Sequence, residues 1–413
     1  MRHENNRAGE STRRALILTA LHKVPKLVPG GPGFMAEMIQ KGMVSARPDW
    51  IIDCIGLNNH PEPGAGLLPR LWHRVKEQVK LHAPAPIRSG AAALRVRSWQ
   101  SHFAQILERQ RPRLAHADLV HCLDPVAYRA FLSLKLPRLP MVFSDHSPGS
   151  FAQLLLRYVP DAHAGFAERY LLDIERTAFL QSDAVILISQ GQLQLKLCEV
   201  PGMDLPDGRV RVIYNGIPDL EEPAPAPMSD PIIGFVGALT TDKGIDLLVD
   251  AFSEVVVKHP QARLMVIGAG PLRDVIERHR HENILLMGQR GDVPRLLRHL
   301  SIFVSCGRRS GFDLAILEAL RAGLCVVVSN VGGNAEAVGD AGIVLPNNTV
   351  HDLAACLINL ISDSEARSGY AQKGKARFKH EFRCEVMAER YAEVYDEVVT
   401  RNRPKIRSSP TRS

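Results

Sequence analysis

Short apolar runs alternate along this chain with stretches whose apolar residues recur at helical spacing. In the first half the runs fall at residues 15–20, 50–56, 118–122, 140–144, 183–189 and 210–214. A Pro-rich acidic stretch without periodicity, EEPAPAPMSDP at 221–231, interrupts the pattern. The alternation then restarts at 232–236, 263–267, 283–287, 301–305, 325–329 and 342–345. Strand-length runs separated by helical segments predict parallel sheets built from βαβ units. The expectation is an α/β protein of two Rossmann-like domains, 1–220 and 232–385, joined by an extended linker at 221–231. Residues 386–400 are expected to form a terminal helix that can cross back to the first domain, and 401–413 to be a disordered basic tail. Two such halves place the useful cleft between them, at the carboxyl ends of both sheets.

Composition narrows the class. The chain has 413 residues, 45% of them hydrophobic and 23% charged, as in a soluble globular protein of two domains. No run approaches the ~18 apolar residues of a membrane span. The polar opening MRHENNRAGESTRR has no apolar core, which predicts no signal peptide. Seven cysteines, an odd number without a CxxC pair, suit free thiols and a cytoplasmic location. Charge is uneven: residues 1–220 carry 27 Lys and Arg against 20 Asp and Glu, residues 221–400 carry 19 against 24, and the tail adds five basic residues. A basic first half can face an anionic membrane surface or an acidic acceptor, although plain solvation accounts for it equally. Nucleic acid is disfavoured, because only 6% of residues are aromatic and no basic–aromatic stripe occurs. Residues 67–82, LLPRLWHRVKEQVKLH, have the make-up of an interfacial amphipathic helix, or of one packed on the first sheet.

The segment SGFDLAILEAL, residues 310–320, carries the most chemistry. Glu318 stands alone in the apolar stretch AILEAL. A carboxylate there needs a partner, and a backbone N–H, an arginine or ligand hydroxyls would each serve. The helix start near Gly311, Phe312, Asp313 and Leu314 offers free N–H groups to an anion. Ser310 and Asp313 have the spacing of a helix cap, so a structural role stands beside ligand contact. Lys243-Gly244 opens another helix, a setting that suits phosphate. Gly30, Gly31 and Gly33 in GGPG let backbone approach a ligand, or form a plain turn. Gly268-Ala269-Gly270 imitates a dinucleotide fingerprint, but Arg273 replaces its third glycine. No Walker A, G-x-S-x-G or HExxH motif, metal-spaced Cys/His set or Asp-x-Asp pair occurs.

In order, FVGALTTDKGIDLLVDAF, LMVIGAGP, SGFDLAILEALRAGLCVVVSN and VGGNAEAVGDAGIVL resemble the retaining GT-B glycosyltransferases of family four, the glycosyl transferases group 1. The likeness covers nearly all of 231–400, and GGPG, SDHSPG (144–149), AVILIS and VIYNGI extend it loosely into the first half. The resemblance implies two Rossmann-like domains facing across a cleft, and sugar transfer from a nucleoside-diphosphate sugar to a glycan or lipid-linked acceptor with retention of configuration. It implies that Glu318 holds the nucleotide ribose and that Lys243 meets the donor diphosphate beside Gly237, Gly268 and the 310–314 loop. It also places His146 of SDHSPG near the reacting sugar, although a lone His is more often structural. Catalytic roles are thus expected for His146 and Lys243. Three positions depart from the family: Ser310 replaces a glutamate, Asp313 a glycine and Ala238 an arginine. Arg308 and Arg309 stand near as substitutes for the missing cation. No metal or other cofactor is expected, and the departures leave room for a weakened sugar-nucleotide-binding partner protein. An NAD-dependent oxidoreductase finds support only in the GxG of 268–270.

Overall fold

The computed structural model describes residues 12–20, 31–57, 85–156, 165–203, 205, 208–220, 231–278 and 282–402. Among them, each of the twelve apolar runs overlaps a strand. The first sheet holds β1 (Arg13–Leu18), β2 (Trp50–Ile55), β3 (Leu119–Cys122), β4 (Met141–Asp145), β5 (Ala184–Leu187) and β6 (Val210–Val212), in the order β2-β1-β3-β4-β5-β6. The second holds β7 (Ile232–Val236), β8 (Arg263–Ile267), β9 (Ile284–Gly288), β10 (Ile302–Ser305), β11 (Cys325–Ser329) and β12 (Ile343–Leu345), in the order β12-β11-β10-β7-β8-β9. Every strand pairing is parallel. Parallel sheets are covered on both faces, which is why the strands read as continuous apolar runs.

The strand order reverses direction between β1 and β3 in one sheet and between β7 and β10 in the other. Loops leaving the carboxyl ends of strands at such a switch point diverge and open a crevice. In the first sheet Asp124 closes the ends together. It caps the helix Pro125–Ser133 through the Ala127 N–H at 2.8 Å and accepts from Thr19 Oγ1 at 2.9 Å and the Ala20 N–H at 2.8 Å, just past β1.

The terminal helix runs Cys384–Asn402 and lies along the helix Gly31–Ala46 of the first half. Its buried face (Met387, Ala388, Tyr391, Tyr395, Val398) shares a core with Met35, Ile39, Met43 and Trp50. Asp396 ties it further, accepting from Arg47 at 2.8 Å and from the Trp50 indole N–H at 3.0 Å and pairing with Arg13. All seven cysteines are free thiols, and burial pushes Cys306 and Cys325 up to about 12, so they stay protonated.

Several expectations fall outside the described residues: Gly30, the amphipathic segment 67–82, linker residues 221–230 and tail residues 403–413. GGPG is not a simple turn where it is described, since Gly31 already opens a helix.

Candidate active site

The second half gathers its residues at the β7/β10 switch point. After β7, residues 237–244 run through a short turn of helix into Gly244, whose φ of 70° admits no side chain comfortably. A Cβ there would also stand 2.1 Å from the Cys306 carbonyl oxygen, so a glycine is needed to seat this loop against the one after β10. Gly268, at the end of β8, packs its bare Cα on the Gly237 carbonyl, where a Cβ would lie only 1.8 Å away. Gly237 in turn borders the Lys243 side chain. These contacts seat the loop that carries Lys243 beside the loop after β10.

Lys243 donates to Asp313 Oδ2 at 2.9 Å, and the Ser305 hydroxyl donates to the same oxygen at 3.3 Å. Asp313 also caps the helix Leu314–Ala322 through the Ala315 N–H, so the cap is Asp313 and not Ser310. One residue that departs from the family pattern therefore supplies both the helix cap and the counter-ion of the expected diphosphate cation. The substitutes for the cation missing at Ala238 are engaged elsewhere. Arg308 donates to the Thr241 carbonyl and to Asp246 at 2.8 Å, whereas Arg309 reaches into the first half.

Glu318 lies one turn along that helix. Desolvation by burial raises its pKa to about 7, a rise that Asp313 reinforces and Arg321 opposes. None of the described residues hydrogen-bonds its carboxyl, and Arg321 donates instead to the Pro218 carbonyl at 2.8 Å. Of the partners open to Glu318 on sequence grounds, the described residues supply neither a backbone N–H nor an arginine hydrogen bond. Phe312 is 5% exposed and stacks on Tyr214 with ring centroids 5.2 Å apart, so its side chain belongs to the core. Leu314 packs against the cores of both halves.

The first half contributes residues 144–149. His146 follows β4 directly, and its Nε2 lies 3.1 Å from Ser144 Oγ. The loop rests on a buried polar cluster that the sequence reading missed. Lys196, fully buried, pairs with Asp145 and with Glu175 at 2.6 Å, and donates to Ser147 Oγ at 3.0 Å. Burial opposes the lysine's charge, but the two carboxylates more than offset it and its pKa is raised. Glu175 also accepts from Ser150 Oγ and from the Phe151 and Ala152 N–H groups. Gln192 donates to the Asp145 and Ser147 carbonyls at 2.9 and 2.7 Å. One signal was readable: Glu175 falls on the apolar stripe Leu171, Ile174, Ala178, Phe179 of its helix.

The two loops meet. Gly311 lies against Ser147 and Pro148, and its carbonyl accepts from Ser189 Oγ at 2.9 Å. Arg309 donates to the Pro148 carbonyl at 2.7 Å and to Glu199 at 2.5 Å. Glu336 accepts from the Gln190 and Gly191 N–H groups at 2.9 and 2.7 Å, capping a first-half helix from the second half. His146, Gly237, Lys243, Gly268, Ser310, Gly311 and Asp313 thus lie on neighbouring strand-end loops, with Glu318 on the helix Leu314–Ala322 that one of them enters. Gly31 opens its own helix, Gly31–Ala46. No cluster of His, Cys, Asp and Glu suited to a metal occurs among the described residues.

Paired parallel-sheet halves whose strand-end loops face each other define the GT-B class of fold. Residues 46–219 match the family model Glycosyltransferase Family 4, and residues 230–363 match Glycosyl transferases group 1. The chain belongs to this family of glycosyltransferases. It is 30% identical over 267 residues to the uncharacterized glycosyltransferase MJ1607 of Methanocaldococcus jannaschii, covering 58% of this chain and 65% of that protein, just under two thirds of its length. Sucrose-phosphate synthase from Thermosynechococcus elongatus superposes with a TM-score of 0.68 at 17% identity, covering 94% of this chain and 100% of that one. HepE of Anabaena, solved with UDP-glucose, gives 0.58 at 18% identity, covering 93% and 99%. At these identities the structural likeness is one of fold.

Proposed function

We propose that this protein transfers a sugar from a nucleoside-diphosphate sugar to a glycan or lipid-linked acceptor, without a metal ion and with retention of configuration. The observation that carries the proposal is Glu318: a carboxyl in low-polarity surroundings, without a hydrogen-bond donor among the described residues, on the helix that starts at the second sheet's switch point. The two hydroxyls of a ribose would supply the missing donors. In this reading Lys243 leaves Asp313 for the diphosphate, and the N–H groups at the start of the helix Leu314–Ala322 add their share of positive potential. His146 stands across from them beside the sugar. Retention follows from the family resemblance, and metal independence from the absence of an Asp-x-Asp pair in the sequence. The basic first half supports an acidic or lipid-linked acceptor met peripherally at the inner face of a membrane. No helix among the described residues is long and apolar enough to cross one.

The Lys243–Asp313 pair favours a second reading, a sugar-nucleotide-binding partner with weakened catalysis. Ser310, Ala238 and the engaged Arg308 and Arg309 point the same way. A thermal-shift screen of nucleoside diphosphates and their sugars comes first, because a ligand that binds only the folded state raises its melting temperature. Donor hydrolysis and transfer are then measured in excess EDTA. Stabilisation with turnover supports the enzyme, and stabilisation without turnover supports the partner. Stabilisation by none of the nucleotides overturns both. Activity lost in EDTA and restored by Mg²⁺ overturns metal independence.

A further inference from the structure

We infer that the second half grips the first by both ends of one helix, Gln190–Glu199, with Glu336 at the pivot and Arg309 as the latch that holds the two site loops at their working distance. The catalytic consequence rests on the transferase reading above, whereas the grip itself does not.

The helix Gln190–Glu199 follows β5 in the first half. At its start, Glu336 of the second half accepts from the Gln190 and Gly191 N–H groups at 2.9 and 2.7 Å. At its end, Arg309 donates from Nη2 to Glu199 at 2.5 Å and from Nε to the Pro148 carbonyl at 2.7 Å. The helix has 10 residues, which sets the two grips about 13 Å apart along its axis. The signs suit the helix dipole: an anion stands at the amino end, and a cation offsets the Glu199 carboxylate at the carboxyl end. Burial opposes the Glu199 charge, yet Arg309 and the Ser150 N–H hold its pKa below the ordinary value.

The backbone is shaped for this contact. A Cβ on Gly191 would stand 2.1 Å from the Gly332 carbonyl oxygen, so only a glycine lets the two halves meet there. Gly149, with a φ of 90°, leaves the space in which Arg309 meets Glu199; a Cβ would lie 2.2 Å from the guanidinium and 2.4 Å from the carboxylate. Glu199 also accepts from the Ser150 N–H at 2.6 Å, and Ser150 Oγ donates to buried Glu175. Arg309 therefore engages the fixed support of residues 144–149.

The two ends differ in their place. The chain crosses between the halves after Ile217 and again before Cys384, and the crossings pair: the Ile217 N–H donates to the Phe382 carbonyl at 2.9 Å and the Cys384 N–H to that of Ile217 at 3.0 Å. Tyr214 joins this point to the Glu336 end, packing on Phe382 at 5.8 Å and donating to Glu336 at 3.3 Å. Rotation of the halves about the crossings keeps the Glu336 end and parts the Arg309 end. While the latch is shut, Gly311 rests on Ser147 and Pro148, which sets the spacing between the loop of His146 and that of Asp313. Arg309 is thus a positioning residue.

The test compares the full chain with Arg309→Ala and with Arg309→Lys, which keeps the charge and loses the fork. Arg309→Ala should enlarge the radius of gyration in solution scattering, with Arg309→Lys between it and wild type. Hydrogen exchange should still show the Gln190 and Gly191 amides protected in Arg309→Ala. Equal radii overturn the latch, and lost protection at both amides overturns the pivot. Gly191→Ala tests the grip by a separate route. In an open protein it only exchanges a helical glycine for a better helix former and raises Tm. In the gripped protein its methyl meets the Gly332 carbonyl and lowers Tm, so a raised Tm overturns the grip. In the transfer assay, Arg309→Ala should lower kcat by up to about 10²-fold, the cost of an ångström's misplacement, with affinity for free nucleotide unchanged. Arg309→Lys should recover part of that loss. A matching fall in nucleotide affinity would make Arg309 a binding residue and overturn its positioning role. Absence of transfer in the wild type removes the catalytic consequence together with the function proposed above, while scattering, exchange and Tm still decide the grip.

Discussion

The two loops that meet at the site are built on opposite plans. Residues 144–149 of the first half sit on charges that are buried and paired: Lys196 between Asp145 and Glu175, with Ser147 donating to the Asp145 carboxylate and Ser150 to that of Glu175. Residues 310–314 of the second half sit beside charges that are provisional. Lys243 and Asp313 form a partly exposed pair, their side chains 32% and 14% exposed, and Glu318 has no hydrogen-bond donor among the described residues. A satisfied buried network fixes a shape and cannot easily exchange partners. A partly exposed pair and a carboxyl that no described residue hydrogen-bonds can, which is what a ligand that comes and goes requires.

Removing the fixed partner should cost most. Lys196→Ala leaves two buried carboxylates unpaired and should lower stability by about 3–5 kcal/mol in urea unfolding. Unchanged stability would break the contrast. Lys243→Ala should leave the fold intact and lower kcat by about 10²–10³, the loss expected when one preorganised group is removed from a charge-stabilising site. An equal fall in affinity for free nucleotide would assign Lys243 to binding alone. Glu318→Ala should weaken nucleotide-sugar binding by ~1.5–3 kcal/mol, measured by calorimetry. The pH dependence has a definite sign. The raised pKa means that the folded chain keeps the Glu318 proton between 4.5 and about 7 while the unfolded chain has lost it. Its contribution therefore erodes stability as pH climbs through that window, and Glu318→Gln should stabilise the free protein at pH 8 but not at pH 4. Hydroxyl donors favour the charged carboxyl, so binding should release a proton and tighten up to about pH 7. The smallest effect is expected from Asp313→Gly, which frees Lys243 from a partly exposed pair and should strengthen diphosphate binding by up to ~1 kcal/mol. Weaker binding would make Asp313 a ligand contact rather than a competitor.

The fold was legible because parallel strands announce themselves as apolar runs, and β11 with CVVVS fully buried shows why. Glu318 was legible for a related reason, as a charge in an apolar helix segment. Lys196 was not. Its helix, QGQLQLKLCE, turns Gln192 and Lys196 inward and leaves Leu197 44% exposed, so the usual rule for which face is buried points the wrong way. The partner of Lys243 was hidden for another reason. Asp313 follows it by 70 positions, and only the closeness of β7 and β10 joins them. Sequence periodicity reports local faces, whereas pairings across a switch point belong to topology.

The terminal helix carries a consequence for synthesis. Arg13 and Asp396 stand 383 positions apart, and His121 and Tyr395 stand 274 apart, yet each pair lies in the first half's structure. The face of the helix Gly31–Ala46 that takes Met387, Tyr391 and Tyr395 is made early on the ribosome and covered last. Throughout elongation of the second half, that apolar surface has no native cover. Contacts this distant slow folding and lengthen exposure of sticky surface. The first half, although translated first, completes its core only when the helix Cys384–Asn402 has emerged.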